Sequence, residues 1–102
     1  ARAAAETLAN AVIHRDLSSI LGMVDSSAVT QLYLMERSLS NPVGYNIIGA
    51  KAISDSTVRV TLTINDRVVA NNGEVVSKTK TFFVRVNVAG GEARITAING
   101  GS

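Results

Sequence analysis

The stretch Val58-Arg59-Val60-Thr61-Leu62-Thr63-Ile64 alternates apolar and polar residues without a break. A period of two puts Val58, Val60, Leu62 and Ile64 on one face of a strand and Arg59, Thr61 and Thr63 on the other, as in a half-buried β-strand. Downstream, Asn71-Asn72-Gly73 has turn chemistry. Beyond it Phe82, Val84, Val86 and Val88 alternate with Thr81, Phe83, Arg85 and Asn87. Gly90-Gly91 suits a two-residue hairpin loop, which makes Ala93, Ile95 and Ala97 the inward set of a last strand. Folding back about the first turn sets Leu62 opposite Phe82, Val60 opposite Val84 and Val58 opposite Val86. The second turn sets Val86 opposite Ile95 and Val88 opposite Ala93. Every inward residue meets an inward residue, and a slip by one would send each set to the wrong face. The pattern predicts a three-stranded meander, with residues 45–52 as an additional strand.

Upstream of Tyr45 the period is helical. Ala5, Leu8, Ala9, Val12 and Ile13 follow the i, i+3, i+4 spacing of an amphipathic helix over 3–14. Asp16 is placed to cap a short second helix that gathers Leu17, Ile20 and Leu21. Gly22 and Asp25-Ser26-Ser27 mark a turn and a fresh N-cap. A third helix then carries Val29, Leu32, Tyr33 and Leu39 inward and Gln31, Glu36 and Arg37 outward. Ser40-Asn41-Pro42 stops it, because the residue before a proline is pushed out of the α region. The expected fold is α+β: one domain over 1–102, with a helical part (3–40) laid on a curved antiparallel sheet of about four strands (45–98).

A chain of 102 residues is long enough for one real core. With 46% hydrophobic and 18% charged residues it has the balance of a globular protein, and an aromatic content of 4% makes that core aliphatic. The net charge of +2 is far below the dense Lys/Arg of a nucleic-acid binder. Seven of the ten basic residues are Arg, so their placement matters more than their number. The absence of cysteine excludes disulfides, thiolate metal sites and cysteine nucleophiles. No apolar run approaches the roughly 20 residues of a membrane helix. The start inside a helical pattern, Ala1-Arg2-Ala3-Ala4-Ala5-Glu6, leads us to expect a longer protein with a membrane anchor ahead of this segment.

Catalytic signals are sparse. His14 reads either as a general base oriented by Asp16 or as a cation at a helix C-terminus, and adjacent helical residues do not face each other, which favours the second. The carboxylates Glu6, Asp16, Asp25, Glu36, Asp55, Asp66, Glu74 and Glu92 fall at helix starts, turns and strand ends, where caps and solvated loops belong. None has metal-site spacing, and neither a nucleophile elbow nor a phosphate loop occurs. The inward face of the meander contains no polar catalytic group. Lys78 and Lys80 share its parity, but lie near the hairpin tip and are expected in solvent. No catalytic residue, cofactor or metal is therefore assigned.

The outward face differs. Arg59 falls opposite Arg85, and Arg94 opposite Asn87, around Phe83, Thr61 and Thr96. Like charges across a sheet are mildly destabilising, and Arg suits carboxylate and phosphate recognition. Arg59, Arg85, Arg94 and Phe83 are the expected partner-binding residues; the alternative is an ordinary solvated face.

The order of elements, with the run His14-Arg15-Asp16-Leu17 and Ile20-Leu21 between the first two helices, resembles the nuclear transport factor 2-like superfamily of cystatin-like cones. Enzymes of that superfamily, ketosteroid isomerases and dehydratases among them, place acids, tyrosines or histidines inside the cone, where this chain is aliphatic. Asn41-Pro42-Val43-Gly44-Tyr45 is similar to the Asn-Pro-x-Gly-aromatic motif of periplasmic assembly factors of type IV secretion and conjugation, although there it precedes a late strand and here the first. The resemblance implies a non-enzymatic, extracytoplasmic assembly domain acting through protein partners or self-association, with membrane contact only through a segment outside this chain. The alternatives are a domain binding a small apolar ligand in the cone, and an isomerase-like enzyme using Tyr33, Tyr45 or His14.

Overall fold

Two helices cover one face of a four-stranded antiparallel sheet in the computed structural model, which describes residues 1–101. Helix α1 spans Arg2–Ile13 and α2 spans Val29–Arg37; the strands are β1 (Pro42–Ala52), β2 (Thr57–Val69), β3 (Val75–Ala89) and β4 (Glu92–Gly101). The strands pair in chain order, so the sheet is a plain meander. The second helix expected after Asp16 is absent: three short 3-10 turns, Leu17–Ser19, Leu21–Met23 and Ser26–Ala28, replace it. They still bury Leu17 and Ile20 but leave Leu21 exposed. With Gly22 in the middle and no second apolar turn to extend the pattern, a longer helix has nothing to propagate along.

Helix α1 contacts mainly β1 and β2, and α2 contacts β4. The buried residues of α1 are Ala4, Ala5, Leu8, Ala9, Ala11 and Val12, whose small alanines let the helix approach the sheet closely. On α2 the buried residues are Leu32 and Met35, with Leu39 just beyond; Tyr33, expected inward, is 45% exposed. The 3.6-residue period from Leu32 favours Met35 for the core and turns Tyr33 outward.

The predicted register of β2 with β3 is the observed one, including Leu62 opposite Phe82, Val60 opposite Val84 and Arg59 opposite Arg85. The β3–β4 turn also matches, with Ala89 opposite Glu92 and both glycines at positive φ (62° at Gly90, 82° at Gly91), the conformation a two-residue hairpin demands. Beyond Ile95 the pairing departs from the expectation. Val86 pairs with Ile95 but Arg85 pairs with Ala97, so Thr96 is an extra residue in β4. This bulge turns Ala97 out and Ile98 in, opposite Val84, and Ile98 is 3% exposed. Burying an isoleucine instead of an alanine gains about 1–2 kcal/mol, enough to favour the bulge. Val88, also expected inward, is at the end of β3 beyond the helical cover and is partly exposed.

Strand β1 pairs with β2 through two further irregularities, at Val43 and Ile48, both exposed on this edge strand. The opposite edge, β4, is partly covered where Asp25 donates its backbone N–H to the Ile95 carbonyl at 2.8 Å. Beyond Asp66 the β2–β3 hairpin projects as an arm bearing the exposed Val69 and Val75.

Two polar anchors hold the end of α2, one of them contrary to expectation and the other not anticipated. Asp66, taken for a solvated strand end, is fully buried. Its Oδ1 accepts the Asn41 N–H (2.7 Å) and its Oδ2 the Ser40 N–H (3.0 Å). Lys80, expected in solvent, closes the cluster: its ammonium lies 3.5 Å from Asp66 Oδ2 and donates to the Ser38 carbonyl. Burial pushes the Asp66 carboxyl up, but the two backbone donors and Lys80 outweigh it, so its pKa lies below the ordinary aspartate value. The second anchor is Arg15, in the left-handed region at φ 57°. The Arg15 and Asp16 N–H groups donate to the Val12 and Ala11 carbonyls, a Schellman termination of α1. The Arg15 guanidinium in turn donates to the carbonyls of Glu36 and Leu39 (both 2.8 Å) and Ser40 (3.1 Å), capping the C-terminus of α2.

Candidate functional site

The outer face of the sheet, away from the helices, is built by the odd-numbered residues of β2 and β3. Arg59 and Arg85 are exposed and directly opposite, and the Arg59 guanidinium carbon stands 5.7 Å from the centre of the half-buried Phe83 ring. That stacking holds Arg59 by a cation–π contact. Arg94 lies in the next row, opposite Asn87, but its Nε is 3.3 Å from Asp25 Oδ1. The Ser27 hydroxyl and backbone N–H, then Arg94, hold the Asp25 carboxyl below the ordinary aspartate value. Of the four expected residues, then, Arg59, Arg85 and Phe83 are brought together, while Arg94 is drawn toward the covered edge of β4.

Sequence reading missed one member of this face. Lys51 on β1 is directly opposite Arg59 and exposed. Its position depends on the shift of register between Ile47 and Gly49, which the apolar alternation of residues 45–52 does not reveal. The signal was present only as the lone charge in an otherwise neutral strand.

The helix-covered face is closed by Val60, Leu62, Ile64, Val84, Val86 and Ile95, all fully buried. Where α2 leaves the sheet a cavity of about 300 Å³ opens between Leu34, Met35, Phe82 and Ile98, rimmed by Gln31 and Ser38. A second hollow of about 300 Å³ lies along α1 among Thr7, Asn10, His14, Asp16 and Ser19. In it His14 Nδ1 is 2.7 Å from the Asn10 carbonyl, which fixes the proton on Nδ1. Asp16 does not orient the ring: its Oδ1 accepts the Ser18 hydroxyl at 3.0 Å. Tyr45 is half-buried, with its hydroxyl 3.5 Å from Asn10 Nδ2, whereas Tyr33 is exposed on α2. Among the described residues no group of three His, Cys, Asp or Glu side chains is placed to hold a metal ion.

The arrangement defines an α+β domain with an aliphatic helix-covered face and a cationic open one. No family model matches the chain, and no curated protein matches it.

Proposed function

We propose that this chain is a non-enzymatic assembly or scaffolding domain that works through protein–protein contacts on the open face of its sheet. The order of elements supports a nuclear transport factor 2-like reading, and with it a place in an extracytoplasmic secretion or conjugation machine. The observation that carries the proposal is the opposition of Arg59 and Arg85, exposed beside Phe83 and without an ion-pair partner among the described residues. Folding gains nothing from that opposition, and Arg with an aromatic neighbour is the usual chemistry of an interface anchor.

The test is gene replacement in the organism that encodes the chain. Arg59→Glu with Arg85→Glu should abolish function while thermal unfolding changes little, as exposed substitutions rarely move stability by more than about 0.5 kcal/mol. His14→Ala should leave function intact. A folded double variant that retains full function, or loss of function in His14→Ala without unfolding, would reverse the assignment.

The cavity at Leu34 and Phe82 favours a second reading, a site for a small apolar molecule. That reading requires a ligand to raise the melting temperature of the wild type and not of Leu34→Glu.

A further inference from the structure

Three cations share one row across the open face. Lys51 is opposite Arg59, Arg59 is opposite Arg85, and the row ends at Ala97 on β4. On one side it is flanked by Gly49, Thr61, Phe83 and Asn99, and on the other by Thr57, Asn87 and Arg94, so neither neighbouring row contains a carboxylate. Among the described residues none of the three has an ion pair, whereas Arg94 is engaged by Asp25. The fold thus keeps three mutually repelling charges together in one row, with the nearest further cation, Arg94, already engaged by Asp25.

We infer that this row receives an acidic α-helix of a partner protein, laid across the strands. The inference rests on the protein-contact reading above and adds the partner's chemistry and direction. Adjacent strands lie about 4.8 Å apart, so the row spans about 10 Å. Carboxylates at positions i, i+4 and i+7 of a helix share one face and span about 10.5 Å. An extended acidic segment repeats its same-face side chains only every ~7 Å and matches the row less well. Arg59 and Arg85 supply the forked donors that suit carboxylates, and Phe83 with Thr61 provides a less polar strip beside them.

Other occupants fit poorly. A second copy docked through the same face on a two-fold axis would set cation row against cation row. Nucleic-acid binding draws on many phosphate contacts, and membrane recognition on clusters of about four to eight basic residues. Here three stand among threonines, asparagines and a glycine, and the adjoining Arg94 is engaged by Asp25.

The experiment titrates the protein at low ionic strength with a blocked, alanine-based helical peptide carrying glutamates at i, i+4 and i+7, followed by backbone amide resonances. An isomer with the same glutamates spread around the helix serves as the comparison. The striped peptide should shift the amides of Lys51, Arg59 and Arg85 and bind more tightly than its isomer. Lys51→Glu and Arg85→Glu should each weaken it about fivefold, the scale of an exposed ion pair, with Lys51→Gln and Arg85→Gln as milder substitutes should a glutamate variant fail to fold. Lys78→Glu makes the same charge change off the row and should leave binding unaltered. Equal binding of the two peptides, or an equal loss in Lys78→Glu, overturns the acidic helix and leaves the protein-contact reading to its own genetic test. A short oligothymidylate, or phosphatidylserine vesicles, binding more tightly than the striped peptide with the same dependence on Lys51 and Arg85 overturns both.

Discussion

Replacing Asp66 by Asn keeps the shape of the buried cluster and inverts half of its chemistry. Both carboxylate oxygens accept backbone N–H groups, from Asn41 at 2.7 Å and Ser40 at 3.0 Å, and Oδ2 also faces the Lys80 ammonium at 3.5 Å. An amide offers one acceptor oxygen, so its NH2 group must confront one of the two backbone donors, and in one orientation Lys80 as well. A hydrogen bond to a charged group contributes about 1.5–3 kcal/mol. Losing one and weakening the other should cost about 2–4 kcal/mol, a large part of the roughly 5–15 kcal/mol of a domain this size. The melting temperature should fall by about 10–20 °C. Acid supplies a second readout. Because the folded-state pKa of Asp66 is depressed, its contribution is full above the unfolded value of about 3.9 and is lost as pH falls from there through the folded pKa. Urea unfolding of both proteins, followed by circular dichroism at pH 7 and near pH 2–3, should therefore show a wide gap that narrows in acid. A loss under about 1 kcal/mol at pH 7, or a gap unchanged in acid, would refute the assignment of Asp66 as the anchor between α2 and β1.

Leu62, fully buried opposite Phe82, should cost about 2–5 kcal/mol when truncated to Ala, measured by denaturant unfolding. At Arg15 the backbone strain and the guanidinium cap are separable. Arg15→Ala loses the three carbonyl bonds and keeps the strain at φ 57°, whereas Arg15→Gly loses the bonds and relieves it. The Gly variant should be the more stable of the two by about 1 kcal/mol in the same assay.

The strands were legible where alternation and turn chemistry agreed. About the short turn Asn71-Asn72-Gly73, one register buries Val60, Leu62 and Ile64 together with Phe82, Val84 and Val86, and a slip by one would turn each set outward. Strand β4 broke the rule because its apolar spacing changes from two to three between Ile95 and Ile98. Read as alternation, that spacing buries Ala97, but the larger gain from Ile98 makes the chain insert Thr96 as a bulge. Asp66 and Lys80 were lost for a different reason. A charged residue with inward parity near a strand end looks like a solvated one until the loop that brings the Ser40 and Asn41 N–H groups above it is known. Arg15 was hidden likewise, since its role depends on the end of α2, more than twenty residues away.

The candidate surface shows the same division between local and assembled information. Arg59 and Arg85 belong to strands joined by one hairpin, so their opposition follows from a turn position and a count. Lys51 reaches the row only through the irregularity at Ile48, which removes one residue of phase between β1 and β2. Without that shift Lys51 would carry the opposite parity and point toward the helices, and the row would be a pair. The bulge thus serves two ends at once: it roughens an exposed edge strand against unwanted pairing, and it turns a third positive charge onto the open face. Deleting Ile48 would take out the extra residue itself, so Lys51 should stay opposite Arg59 and the three-cation row should survive on a smoother edge strand, whereas ironing out the bulge with Ile48 kept would turn Lys51 inward.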